Sequence, residues 1–127
     1  MEHARLQQLV TDYIAAYNAF DLEGMAALLS DDIRFENHSG GALTASSNGL
    51  DAFRQLAEQS KALFSQREQR VTGWTFGADT VAVDIDYSGT LAQDLPGGPA
   101  AGTVLALKGS SEFGFAGGKI ARITDRS

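Results

Sequence analysis

The sequence predicts an α+β domain in which helices come first and an antiparallel meander follows. Three observations carry this reading. Apolar residues recur at helical spacing through most of the first half of the chain. After Ser65 the pattern changes to β-branched and aromatic runs. Turn signals too short for crossover connections separate those runs, which implies hairpins. Helices followed by consecutive strands are the signature of the α+β class.

Taken in order, Leu6, Leu9, Val10, Tyr13, Ile14, Tyr17 and Phe20 form one helical stripe, with Gln7, Gln8, Thr11 and Asp12 opposite. Asp21 reads as the N-cap of a short second helix whose stripe is Leu22, Met25, Leu28 and Leu29. Ser30-Asp31-Asp32 ends it. Ile33, Phe35 and Asn37 then alternate with Arg34, Glu36 and His38, as in a short strand. The small residues from Ser39 to Asn48 read as a loop with room for a brief strand over Ala42–Ala45. Asn48 is the expected cap of a third helix carrying Leu50, Phe53, Leu56, Ala57, Leu63 and Phe64 on one side. The expected strands are Val71–Phe76, Val81–Leu91, Val104–Phe115 and Lys119–Thr124. The connection Leu95–Gly102 is long for a hairpin and reads either as a rim over a pocket or as slack. No repeat or linker interrupts the pattern, so residues 1–127 form one domain.

Composition narrows the function classes. Sixteen acidic residues against ten basic ones give a formal charge of −6, which disfavours nucleic acid and anionic membrane surfaces as partners. No apolar run approaches a membrane span, and no secretion signal opens the chain, so a cytoplasmic location is expected. The absence of cysteine removes disulfides, thiolate catalysis and Cys-zinc sites. The two histidines, His3 and His38, are too few for a histidine metal centre, so no metal and no cofactor are expected.

The order of elements carries a resemblance. Tyr13-Ile14-Ala15-Ala16-Tyr17, then Phe20-Asp21-Leu22-Glu23-Gly24-Met25, are followed by Leu29-Ser30-Asp31-Asp32-Ile33-Arg34-Phe35. Asn48-Gly49-Leu50-Asp51-Ala52-Phe53 and the closing Phe113–Phe115 with Gly118-Lys119-Ile120 complete the set. Across the whole chain this resembles the SnoaL-like members of the nuclear transport factor two–like superfamily. The resemblance implies helices packed in the concavity of a curved, mostly antiparallel sheet, a cone with an apolar cavity for a small hydrophobic molecule. It also implies a homodimer formed through the sheet. Trp74 and Phe76, with Val104 and Ala106, are the expected apolar part of the outer face. The fold hosts isomerases, cyclases and hydrolases as well as binding and scaffold proteins, so it does not by itself choose among them.

Two members of the superfamily supply candidate site residues. In ketosteroid isomerase a tyrosine and a protonated aspartic acid form the oxyanion hole and another aspartate is the base. The tyrosine matches Tyr13, but the base position falls on Asn37 and the second aspartate on or beside Ser111, so that mechanism is not expected. Limonene epoxide hydrolase is similar at Asn37, at Asp86 and at Asp125. Its tyrosine position holds Phe35 and its arginine position holds Asp84. If catalysis occurs, this comparison makes Asp86 the group that carries it, Asn37 the group that orients water or a substrate oxygen, and Asp125 the opposing acid. Asp84 and Asp86 would then share a face, and in a dry site one of them would have a raised pKa.

Strand alternation keeps another option open, because Val81, Val83, Ile85 and Tyr87 take one face and the two aspartates the other, which could be solvated. The expected ligand contacts are Tyr13, Tyr17, Phe35, Trp74, Asp84, Ser111 and Phe113. Tyr13 and Tyr17 also fit a plain core stripe, Trp74 fits core or dimer interface, and His38 fits a surface position. A titratable carboxylate inside the pocket favours a cofactor-free acid–base enzyme of hydrolase, isomerase or cyclase type. A wholly apolar and amide-lined pocket favours a binding or scaffold domain.

Overall fold

The computed structural model describes residues 2–127. Three helices, α1 (His3–Asn18), α2 (Leu22–Ala27) and α3 (Leu50–Leu63), lie against one face of a six-stranded sheet. The strands are β1 (Leu29–Ser39), β2 (Ala42–Asn48), β3 (Phe64–Phe76), β4 (Thr80–Leu91), β5 (Val104–Ala116) and β6 (Lys119–Arg126). Their order is β2-β1-β6-β5-β4-β3. All neighbours are antiparallel except β1 and β6, so the curved sheet is mixed and stays open. This is the α+β cone that the sequence predicts.

The helical stripe of α1 is the centre of the core. Leu6, Leu9, Val10, Tyr13 and Ile14 are buried against Val81, Val83 and Ile85 of β4, Phe113 of β5, and Ile120 and Ile123 of β6. Phe113 is 1% exposed, and Tyr13 meets its ring edge-on at 5.8 Å. Removing a ring so enclosed typically costs ~3–5 kcal/mol.

The end of α1 is less ordinary. Asp21 N–H donates to Ala16 O and Phe20 N–H to Tyr17 O, the paired bonds of a Schellman ending. The residue at the left-handed position of such an ending is usually glycine, but here it is Phe20, with φ 58°. Asp21 is the N-cap expected for α2, accepting from Gly24 N–H at 2.9 Å.

Several boundaries move, each for a tertiary reason. Ser30-Asp31-Asp32 does not end a helix; it lies within β1, which begins at Leu29. Ile120 N–H donates to Leu28 O, so pairing with β6 captures the chain there. The brief strand expected at Ala42–Ala45 extends to Asn48 because β1 offers a full antiparallel ladder. The cap of α3 is Gly49 rather than Asn48. Its φ of 89° turns the chain from β2 into the helix while its N–H donates to Ile33 O at 2.8 Å. Strand β3 begins at Phe64, seven residues before Val71, because its polar start pairs with β4 as far as Leu91. The loop 95–102 folds on itself, with Leu95 N–H donating to Pro99 O and Ala101 N–H to the Asp94 carboxylate. It contributes nothing to the cavity described below.

Trp74 and Phe76 pair with Val83 and Val81 and therefore point to the core side, where their rings stack at 5.9 Å. The aromatic part of the expected dimer face is thus turned inward. Val104 is 64% exposed at the start of β5, but most neighbours on the outer face are charged or hydroxylated. Among the described residues no helix is long and apolar enough to cross a membrane.

Candidate functional site

A cavity of about 370 Å³ opens between the helices and the concave face of the sheet. Tyr13 and Tyr17 of α1 and Met25 of α2 form one wall. Phe53, Leu56, Ala57 and Leu63 of α3 form the second, and Phe35 meets the Phe53 ring edge-on. The floor is the sheet, and its register explains which side chains arrive there. Asn37 of β1 lies beside Asp125 of β6, and Asp125 lies beside Ser111 of β5. All three share a face with Phe35, Ile123 and Phe113, because residues two apart on a strand point the same way. The floor therefore passes from an apolar row into a polar row at Asn37–Asp125–Ser111. Ser111 faces an adjoining hollow that shares Tyr17, Asn37, Gln69 and Asp125 with the main cavity.

Asp125 is the one acidic side chain lining the cavity among the described residues. Ser111 Oγ donates to its Oδ1 at 2.5 Å, which favours the charged form. Desolvation acts against this and wins, pushing the carboxyl pKa from 3.8 up to about 6. Tyr13, buried above the same floor, has its phenol pKa pushed well upward, first by burial and then by the nearby Asp125 charge. Asn37 donates to Thr44 Oγ1 at 2.8 Å, and Thr44 donates back to the Asn37 carbonyl, so the β1–β2 hairpin holds the amide. The strand end that carries Asp125 is also tied, since Ser127 N–H donates to His38 O and Gly40 N–H to Ser127 O.

The expected trio of Asp86, Asn37 and Asp125 is not brought together. Asn37 and Asp125 are neighbours in the cavity, but Asp86 lies on the opposite, outer face of the sheet. Alternation decides this: Val83, Ile85 and Tyr87 take the inner face, so Asp84 and Asp86 take the outer one. Asp86 pairs with Arg70 of β3 at 3.1 Å and with Lys108 of β5 at 3.4 Å. The Arg70 hydrogen bond, helped by Lys108, holds its pKa below the usual carboxylate value, the reverse of a dry acid pair. Asp84 is exposed on the same face. Of the expected ligand contacts, Tyr13, Tyr17 and Phe35 line the cavity and Ser111 its adjoining hollow. Asp84 does not reach it, Phe113 lies beneath Tyr13 as core, and Trp74 stacks on Phe76 away from the cavity lining. His38 points outward and pairs with Glu36 at 3.0 Å.

Four polar cavity residues have no forerunner in the sequence reading: Gln59 and Ser60 of α3, and Arg67 and Gln69 of β3. Arg67 and Gln69 sit in the polar start of β3, ahead of the strand start expected at Val71. Once the strand is extended backwards, both share parity with Val71 and so face inward. The sequence carries no clear signal for this, because the bulge between Val71 and Gly73 puts Val71 and Trp74 on one face despite their opposite parity. Arg67 is only 6% exposed. Its Nε donates to Tyr17 O at 3.0 Å, and its guanidinium carbon lies 3.7 Å from the Tyr17 ring centre and 4.5 Å from that of Phe20. Tyr17 in turn donates to Tyr87 at 3.2 Å, and burial drives the Tyr87 phenol pKa upward. Burying an unpaired cation costs several kcal/mol, of which cation–π contacts return ~1–2 kcal/mol each.

This fold and cavity define a class. The chain belongs to the SnoaL-like domain family, whose model matches residues 10–123. Among solved structures it is similar to a candidate polyketide cyclase from Xanthomonas campestris, at 23% identity and a TM-score of 0.86 over 98% of this chain and 90% of that one. AclR, a candidate hydroxylase from Streptomyces galilaeus, is similar at 23% identity with a TM-score of 0.78, over 98% of this chain and 89% of the other. A candidate polyketide cyclase from Pseudomonas putida is 28% identical with a TM-score of 0.73, over 92% and 86% of the two chains. A search of curated proteins returns no significant match.

Proposed function

We propose that this chain is an acid–base enzyme of isomerase or cyclase type that moves a proton on a small, largely apolar molecule. The observation that carries the reading is Asp125: a lone carboxylate on the floor of a largely apolar cavity, with its pKa raised to about 6. A base is most useful when its pKa lies near the working pH, where it is both ionised and able to hold a proton. Asp125 takes a proton from carbon next to a carbonyl, and Ser111 Oγ steadies the carboxylate. Tyr13, whose high pKa keeps it protonated, offers an O–H to the oxygen on which charge develops. The fold similarity to candidate polyketide cyclases supports a polyketide-type substrate. Asn37, one strand away from Asp125, orients a substrate oxygen with the part of its amide that the hairpin leaves free.

The test uses 5-nitrobenzisoxazole, a compact aromatic probe opened by removal of one C–H proton. The base takes that proton, the C–N π bond gains the electron pair, and the N–O bond breaks to give a coloured phenolate. Turnover by the protein is expected to rise with pH around an apparent pKa of about 6. Asp125→Asn is expected to remove ~10²–10⁴-fold of it. Turnover absent in the native protein, or equal in Asp125→Asn, refutes Asp125 as the base.

A further inference from the structure

Arg67 is a buried cation with an incomplete set of partners. Only its Nε has a protein acceptor, the Tyr17 carbonyl. Its Nη2 is fully buried with no hydrogen-bond partner. Among the described residues no carboxylate lies within ion-pair distance. The guanidinium already packs against the Tyr17 and Phe20 rings. The fold accepts a left-handed phenylalanine backbone to place the second of these. Opposite Arg67 in the ladder stands Gly89, where a Cβ would come within 2.7 Å of the Phe64 ring and 3.2 Å of the Tyr87 hydroxyl, so this wall tolerates no larger residue. Arg67 nonetheless lines the same cavity as Asp125 and sits three strands away from it. The cavity thus has a positive pole on β3 and an acidic one on β6.

We infer that Arg67 anchors an acidic oxygen of the ligand, so that the cavity takes a ring-sized apolar molecule carrying a carboxylate or enolate rather than a neutral one. In a water-poor cavity a charge-assisted bond from a guanidinium N–H to a carboxylate or enolate oxygen is a strong one. Tyr17 beside it offers a flat wall to the adjoining ring, and Tyr87 lines the hollow next to it. With the anion held at Arg67, the other end of the molecule is delivered towards Asp125, and like-charge repulsion keeps the acidic end from binding there in reverse. This identifies the substrate class of the site proposed above and rests on that reading for the second half of the argument alone.

Titration calorimetry at neutral pH with naphthalene-2-carboxylate and naphthalene-2-carboxamide tests it, since the two probes differ mainly in charge. The carboxylate is expected to bind the native protein at least about tenfold more tightly than the amide. Arg67→Gln brings the ratio close to one while the amide's affinity changes little, and Arg67→Lys keeps part of the preference. Asp125→Asn keeps or increases it. If Arg67→Gln does not fold, as circular dichroism would show, the native ratio and the lysine variant still decide. Equal or weaker binding of the carboxylate, no binding of either probe at millimolar concentration, or a preference that survives Arg67→Gln overturns the inference. Loss of the preference with Asp125-dependent turnover intact removes only the anion anchor. Loss of turnover with the preference intact removes only the acid–base reading.

Discussion

Replacing Asp125 with asparagine removes one ionisable group from the cavity floor and leaves its shape nearly unchanged. The substitution therefore separates the cost of the charge from the cost of the cavity. In the unfolded chain the carboxyl titrates near 3.8 and in the folded protein near 6. A raised acid pKa means that the folded state holds the proton more tightly than the unfolded state. Below about pH 4 both states are protonated and the charge costs nothing. Between about pH 4 and pH 6 the unfolded state ionises first, and stability falls as pH rises. Above about pH 6 the full cost is present. A shift from 3.8 to about 6 corresponds to roughly 3 kcal/mol, at 1.36 kcal/mol per unit. Asparagine still accepts from Ser111 Oγ and carries no charge. Asp125→Asn is therefore expected to match the native protein in stability near pH 4 and to exceed it by about 2–3 kcal/mol at pH 7–8. Urea unfolding followed through Trp74 measures this, with a midpoint shift on the order of 1 M for a usual slope. Other carboxylates titrate equally in both proteins and cancel in the difference. A stability difference that is flat from pH 4 to 8, or a native protein more stable than the variant at pH 8, refutes a desolvated Asp125. The same variant is the one expected to lose turnover, so the site would trade stability for chemistry.

Other outcomes follow from the same geometry. Asp86→Asn, on the outer face between Arg70 and Lys108, leaves proton-transfer turnover unchanged in steady-state assays; a large loss would place the chemistry on the wrong face. Gly109→Ala sets a methyl group against the Arg126 carbonyl oxygen at the end of β6. It is expected to destabilise by ~1–3 kcal/mol in urea titration and to lower turnover by displacing Asp125. Phe113→Ala empties the space beneath Tyr13 and costs ~3–5 kcal/mol by the same measurement. Phe20→Gly relieves the left-handed backbone but uncovers one face of Arg67. Its melting temperature should change little, because the two effects oppose each other, while the carboxylate-over-amide preference falls.

Strong local periodicity was enough for the scaffold. The α1 stripe, the Asp21 cap, the alternation of β4 and the turns around β5 and β6 are all legible in the residues, because each is set by neighbours a few positions away. Alternation also stated which face Asp84 and Asp86 share. It could not state which side of the sheet the helices cover, and that choice put both aspartates outside. The polar start of β3 was illegible for a related reason: Ser65–Arg70 has no apolar pattern, and only pairing with β4 makes it a strand and turns Arg67 inward. Asp125 was readable as a candidate from resemblance, but not its chemistry. Its raised pKa comes from burial on the cavity floor, and the parallel pairing of β1 with β6, two segments some ninety residues apart, sets it beside Asn37. Sequence decides which residues alternate and where helices begin; long-range packing alone decides which of them lose their water, and desolvation is what makes a carboxylate or a guanidinium chemically distinctive.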